Sequence, residues 1–504
     1  MKPTGFLSGV SAISLLSLLT ACAVGPDYHQ PAPPNVTGYT PAILPAATST
    51  ANGISQNYVS GADISADWWT LFRSPELNNL IAAALKNSPN LEAAKQTLIE
   101  AEENVRAEQG DFFPSASGSL QVEREKISSA QIATSSATSG SSNFSVAPYT
   151  IYDASLSVSY SPDVFGGVRR QVENLAAEAD YERFELEAAY LSLTANIVTA
   201  AVNEASLNAQ VAATQQIIAA EQSQLDILNK QFSFGGVPMA DVLSEEATLQ
   251  SATAGLPALQ SQLAQARNQL ADLVGVFPAD FHVDDFTLAA LALPENLPVS
   301  LPSELVNQRP DIQEAAAQLH EASASLGVAD ANMLPQISLS ASVGREALTT
   351  GTLFTPQTFL WSLVAGITQP IFEGGTLSAK RKAALAALRG AGATYQETVL
   401  GAFQNVSNAL QALQFDAAAL AADAAAQQAS ARSLTVTRSQ YQLGGQPFTA
   451  VLTAQTTYQN ALIATVKAQA ARLADTAALY QALGGGWWHR NDAGAAAQCC
   501  GLIP

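Results

Sequence analysis

Cysteine is nearly absent from this 504-residue chain: Cys22 near the start and the adjacent Cys499 and Cys500 near the end are the whole supply. That excludes a disulfide framework, and no Cys or His spacing suits a metal. The four histidines, His29, His282, His320 and His489, are scattered, so neither a metal nor another cofactor is expected. Charged residues make up only 13%, against roughly 25% in an average soluble domain. That is little for solvated coiled coils, and close packing of Ala-rich helices is the compensation the composition offers. Bases are scarcer still. Lys and Arg number 23 against 43 Asp and Glu, for a net charge of −20, which leaves no basic surface for nucleic acid. The acidic excess reads either as plain solvation or as the lining of an acidic pore. No G-x-S-x-G, P-loop or H-E-x-x-H pattern is present, so no enzyme chemistry is expected.

A long apolar run is also missing. The longest, residues 6–19, is short for a transmembrane helix and follows Lys2, as in a signal peptide. It ends in Leu19-Thr20-Ala21-Cys22, which resembles the bacterial lipobox. Residues 1–21 are then a lipoprotein signal peptide and Cys22 the acylated (palmitate-bearing) first residue of the mature chain. Each buried CH₂ of an acyl chain adds about 0.8 kcal/mol of membrane affinity. Ala23 stands where an Asp typically retains lipoproteins at the inner membrane, which favours outer-membrane sorting.

What the chain does have is a repeat. Residues 231–243, QFSFGGVPMADVL, recur as residues 440–452, QYQLGGQPFTAVL. Gly supplies positive φ and Pro cannot continue a helix from before it, so each copy reads as the tip of a helical hairpin. Residues 166–232 form one helical run without internal Pro or Gly, roughly 100 Å at 1.5 Å per residue. The return over 239–274 places Val242, Leu249, Leu256, Leu263 and Leu270 seven apart, with Ala252, Leu259, Ala266 and Leu273 as partner seam. That is a coiled-coil pattern in which Pro257 predicts a kink. Runs over 376–443 and 448–483 repeat the plan.

Before each long run the period changes from 3.6 to 2. Strands are predicted around Leu120–Val122, over 151–160, from Ile337 to Val343 and from Phe359 to Ile367, each with apolar residues alternating, and over 151–160 the other face is filled by Ser and Asp. A Ser-rich loop, 128–145, separates the first two. The organisation is an extended lipidated segment over 22–66, a first repeat over 67–276, a linker over 277–302, a second repeat over 303–486 and a structureless tail over 487–504. Four amphipathic strands cannot close a membrane barrel, and an open edge in lipid leaves backbone groups unpaired. If the strands enter a membrane, the chain oligomerises.

The chain resembles the outer-membrane factor family, the TolC-like channels, and within it the NodT-type lipoproteins of drug-efflux pumps. The residues that carry the resemblance are Cys22 to Tyr28, Trp68-Trp69 with Phe72, Arg309-Pro310-Asp311-Ile312, Pro370 to Gly375, and Leu479 to Trp487. Together they span nearly the whole mature chain. The resemblance implies a mixed fold: a membrane β-barrel plus an α-helical barrel, four strands and long coiled-coil helices per chain, and a homotrimer closing a 12-stranded barrel. It implies an outer-membrane location, a periplasmic membrane-fusion adaptor and an inner-membrane pump of the resistance–nodulation–division class as partners, and passive conduction of drugs or other small molecules. A type I protein-secretion conduit would share the fold.

The tips are where the family opens. Gly235, Gly236 and Pro238 in the first, and Gly444, Gly445 and Pro447 in the second, are candidates for adaptor docking; a plain turn requirement explains the same residues. Asp241 sits where the family has an acidic residue after the first tip. It is either one third of a charged ring or a helix N-terminal carboxylate. The second tip departs from the family pattern: Ala450 and Thr453 stand in place of two aspartates, and Gln446 in place of an Arg. Tyr441 is retained. With that ionic lock gone, steric closure by Tyr441 or Phe448 is expected.

Overall fold

The computed structural model describes residues 23–51, 53–126, 147–282 and 286–490. In chain order the elements are β1 (Asn57–Ser60), α1 (Pro75–Asn87), α2 (Pro89–Gln109), β2 (Ser115–Glu125), β3 (Tyr149–Tyr160), α3 (Gly167–Ser233), α4 (Met239–Val274), β4 (Asn296–Val299), α5 (Pro302–Gln308), α6 (Pro310–Ala331), β5 (Gln336–Ala347), β6 (Phe359–Thr368), α7 (Thr376–Gln442) and α8 (Phe448–Ala482). Contacts divide the chain into two compact units. The signal peptide over 1–21, Cys22 and its acylation, the Ser-rich loop over 128–145 and the tail from 491 lie outside the described residues.

One unit gathers residues up to Gln30 with Ile99–Asp180 and Ala317–Ala393. It holds an antiparallel sheet in the order β2-β3-β5-β6. Register makes its two faces chemically distinct. Ser157 lies opposite Ser117 on one side and Ser342 on the other, and Ser159 opposite Ser115 and Ser340. The alternate residues pair Leu156 with Val343, Ala341 with Leu363 and Ile337 with Ile367. Serine hydroxyls meet across strands at 2.7–2.8 Å, as in Ser115–Ser159 and Ser342–Ser362. Among the described residues nothing covers the apolar face: Leu120 is 84% exposed and Leu363 73%.

The other unit contains Pro31–Leu98, Tyr181–Ala316 and Thr394–Pro504. Its core is one cluster around Trp68, Phe72, Leu77, Ile81, Ile197, Leu305, Ile312, Leu410 and Leu479. Trp68 stacks on Tyr480 with ring centroids 5.3 Å apart. The helices match the sequence pattern closely: α3 and α7 are each 67 residues long. α4 continues through Pro257 as one element, with Val242, Leu249, Leu263 and Leu270 buried.

Three features differ from expectation. The extended N-terminal segment and the linker each contain a short strand, β1 and β4, and these pair in parallel. The described residues therefore form six strands rather than four, in two sheets. Second, the segment over β1 is pinned by a buried cation: Arg472 of α8 donates to Gln56 Oε1 at 3.1 Å, Thr48 Oγ1 at 3.2 Å and the Ile54 carbonyl. Third, residues 487–490, read as the start of a structureless tail, form a 3₁₀ turn at Trp487–His489. Gly484, Gly485 and Gly486 all have positive φ, and a Cβ on Gly484 would sit 2.2 Å from the Gln308 carbonyl oxygen. This reverses the chain so that Trp487 Nε1 donates to Gln308 O at 2.8 Å and Arg490 pairs with Glu187.

Candidate functional site

Both tips are built by the same backbone motif. Gly236 N–H donates to the Gln231 carbonyl and Gly235 N–H to that of Phe232, at 2.8 and 2.9 Å. Gly445 to Gln440 and Gly444 to Tyr441 repeat both bonds at the same lengths. These are the two bonds of a Schellman cap, with Gly235 (φ +74°) and Gly444 (φ +78°) in the left-handed position that L side chains rarely adopt. Nothing lies within 4 Å of a Cβ placed on either glycine. Pro238 and Pro447 then N-cap the returning helices in extended conformation, φ −75° and −73°. The turn requirement thus accounts for Gly235, Gly444 and the prolines. Gly236 and Gly445 have ordinary φ and are held only by their position over the preceding turn.

The side chains join the two hairpins. Leu228, Val242, Leu434, Phe448 and Val451, one or more from each of α3, α4, α7 and α8, form a single buried cluster, with Val237, Tyr441 and Leu452 packed against it. Phe448 is 2% exposed and its ring lies 5.4 Å from that of Tyr441. It therefore supports the hairpins from inside. Tyr441's hydroxyl is buried without a hydrogen-bond partner, and burial followed by the nearby Asp241 carboxylate raises its pKa. Asp241 lies in the first turn of α4 and is half-buried. Gly235, Gly236, Gly444, Gly445 and Pro447 are exposed, as is Pro238. The structure so brings the gate candidates Asp241, Tyr441 and Phe448 to one place.

Sequence reading missed the layer below that cluster. Glu221 and Glu245 are fully buried there, beside Arg438, Gln455 and Gln459. The signal was present in the heptads: Glu245 stands one heptad before Ala252, in the seam that Leu259, Ala266 and Leu273 continue. A groove of about 440 Å³ between α7 and α8 is lined by Ser430, Ser433, Thr437, Ala450, Thr453 and Thr457.

The segment after Cys22 has its own seat in the unit that holds the large sheet. Arg170, 5% exposed, donates to the carbonyls of Val24 and Gly25 and pairs with Asp27 at 2.8 Å. A Cβ on Gly25 would lie 2.5 Å from the Cα of Gly327, and one on Gly166 2.7 Å from Ala23. Tyr28 stacks on His320 at 4.3 Å. In the other unit, Arg309 grips Asp311 with two nitrogens, at 2.9 and 2.6 Å, and donates to the last carbonyl of α8, Ala482, at 2.7 Å. These contacts explain why Arg309 and Asp311 flank a proline: the Pro starts α6 while the fork holds it to the end of α8.

Among the described residues no helix is long and apolar enough to cross a membrane, and no group of His, Cys, Asp and Glu could hold a metal ion. Residues 80–276 and 301–485 match the family described as Outer membrane efflux protein. The pyoverdine export outer membrane protein OpmQ of Pseudomonas aeruginosa is 30% identical over 488 residues, covering 95% of this chain and 97% of the relative. The cation efflux system protein CusC of Escherichia coli O6:H1 is 28% identical, covering 93% and 96%. Of solved structures, the open-state MtrE channel of Neisseria gonorrhoeae superposes with TM-score 0.78 at 27% identity, over 92% of this chain and 99% of MtrE. The outer-membrane channel OprN superposes with TM-score 0.81 at 25% identity, over 92% and 100%. With its paired tips, amphipathic sheet and long helices shared along nearly its whole length, the chain belongs to the outer membrane efflux protein family, the TolC-like channels, and is an efflux channel rather than an enzyme.

Proposed function

We propose that three copies of this chain form a lipid-anchored conduit through the outer membrane that carries small molecules outward, opening at the paired tips. The observation that carries this reading is the four-stranded sheet. Its apolar face is exposed, its opposite face is lined with Ser over β2, β3 and β5, and among the described residues β2 and β6 each have an unpaired edge. Backbone edges cannot remain unpaired in hydrocarbon. Three such sheets joined edge to edge give twelve strands, with Leu120, Leu363 and Ile367 toward lipid and the serines toward water. Acylation of Cys22 would hold the N-terminal segment at the membrane, next to the seat made by Arg170.

The helical hairpins then extend as a periplasmic tunnel whose six tips, two per chain, meet a membrane-fusion adaptor and a pump of the resistance–nodulation–division class. OpmQ is named for pyoverdine export and CusC for cation efflux; a low-molecular-weight cargo handed on by such a pump fits this chain as well. Energy comes from the partner, since nothing in the conduit performs chemistry. Gly236 and Gly445, which have no conformational need for glycine, are the docking positions this reading favours. Asp241 supplies one carboxylate per chain near the aperture, and three would attract cations. Phe448 closes the tip by holding the two hairpins together. The test is a planar bilayer. Purified, heat-modifiable trimer should show cation-preferring conductance, and deletion should raise drug susceptibility with protein secretion intact. A trimer that never conducts, or a deletion that affects secretion alone, would overturn the proposal.

A further inference from the structure

Below the tip cluster a charged layer crosses all four long helices. Glu221 of α3 and Glu245 of α4 are both 0% exposed, and this burial is complete within one chain, before a second copy is added. Glu221 Oε1 accepts from Gln455 Nε2 at 3.3 Å and Gln459 Nε2 at 2.5 Å, both of α8. Gln455 Oε1 in turn accepts from an Arg438 guanidinium nitrogen of α7 at 3.3 Å. Glu221 Oε2, both carboxylate oxygens of Glu245 and Arg438 Nε have no hydrogen-bond partner.

The charges do not balance. Fully ionised, the layer holds two carboxylates against one guanidinium, with Gln455 and Gln459 as its neutral members. A buried charge without a counter-charge is costly, and buried acceptors without donors add to the cost. One proton cancels the excess charge and turns one of the unpartnered acceptors into a donor.

We propose that the Glu221–Glu245 layer binds one proton while the hairpins are packed and releases it when they part, so that rising pH loosens the tips. The inference rests on the tips being the part of the channel that opens. The step is a plain acid dissociation: the carboxyl O–H breaks, the proton goes to water, and the bared carboxylate becomes hydrated in the parted hairpins. The charged groups that face Glu245 are Glu221 from α3 and Arg438 from α7. Burial, then the charge of Glu221, raise the Glu245 pKa from 4.5 to about 7, with Arg438 pulling the other way. Packed hairpins therefore hold the proton up to about pH 7, whereas a hydrated Glu245 loses it near 4.5. Closure is favoured fully below that lower value. It weakens as pH rises between the two and is constant above the upper one.

The experiment is hydrogen–deuterium exchange on the full-length trimer, followed in peptides spanning Glu221 to Glu245 and Arg438 to Gln459. Wild type is compared with Glu245→Gln, which is neutral at every pH, and the two are measured at the same pH so that the intrinsic chemistry of exchange cancels. The ratio of wild-type to variant exchange should stay near one at about pH 4 and rise at least about tenfold by about pH 8. A ratio that stays flat across that range overturns the proposal. Should Glu245→Gln fail to assemble, Glu221→Gln carries the same expectation. The readout is backbone protection, so a rising ratio in a trimer that does not conduct would count for the switch and against the conduit.

Discussion

In the first tip Met239 is 47% exposed and Phe232 43%, whereas Phe448, the counterpart of Met239, is 2% exposed and packs against Tyr441, the counterpart of Phe232. The two capping bonds of the tips are the same; their side chains are not. The first carries the charge, at Asp241, and exposes its apolar residues to solvent or a partner. The second has Ala450 at the Asp241 position and turns its aromatics inward. Duplication has kept the turn, which geometry dictates, and let the contents diverge into a charged, exposed tip and a neutral, anchoring one.

Three comparisons test that division of labour. The largest effect is expected from Phe448→Ala. Truncating a buried Phe costs about 3–5 kcal/mol, and here it removes the centre of the cluster shared by four helices. Met239→Ala, the same position in the first tip, should cost less than about 1 kcal/mol because the side chain is half exposed. Local exchange protection of the tip peptides measures both, and equal losses would erase the distinction between anchor and exposed tip. Next come the capping glycines. Gly444→Val must hold a β-branched residue at φ +78° and should lose about 1–2 kcal/mol, while Gly444→Asn, which tolerates that region, should lose about half as much. Thermal unfolding compares the two, and efflux with the Asn variant shows whether bulk at the tip disturbs docking. The smallest effect on folding belongs to Asp241→Asn, within about 1 kcal/mol. Its signature is electrical: cation preference in a bilayer should fall, and adding Ala450→Asp should restore it. Unchanged selectivity would assign Asp241 to helix capping alone.

Much of this was legible in advance, and for identifiable reasons. The long helices were found almost to the residue because paired glycines and prolines bracket long runs in which breakers are few, such as Gly255 and Pro257 in α4 and three single glycines in α7. The four sheet strands were found because apolar residues recur at every second position, with serine filling much of the alternate face in β2, β3 and β5. β1 and β4 were not. Each is four residues long, one contains Pro298, and they pair across 239 residues of sequence, so no local pattern announces them. The tail was called too early because three glycines read as a stop, whereas their left-handed dihedrals fold Trp487 back onto the Gln308 carbonyl. Phe448 was picked out as a gating residue, but only the packed hairpins reveal that it faces inward. Glu221 and Glu245 escaped because a charged residue in a long helix reads as solvent-facing unless it is placed on the heptad.

The exposed edges of the four-stranded sheet also have a genetic consequence. In the proposed trimer each chain's β2 and β6 serve as the neighbours' missing strands, so one chain with a disrupted β6 leaves a broken seam and an unusable pore. A bacterium making equal amounts of normal and β6-disrupted chain would then assemble only roughly an eighth of its trimers from normal chains alone. Such alleles should behave as dominant in merodiploids, while alleles confined to the tips leave the wall intact.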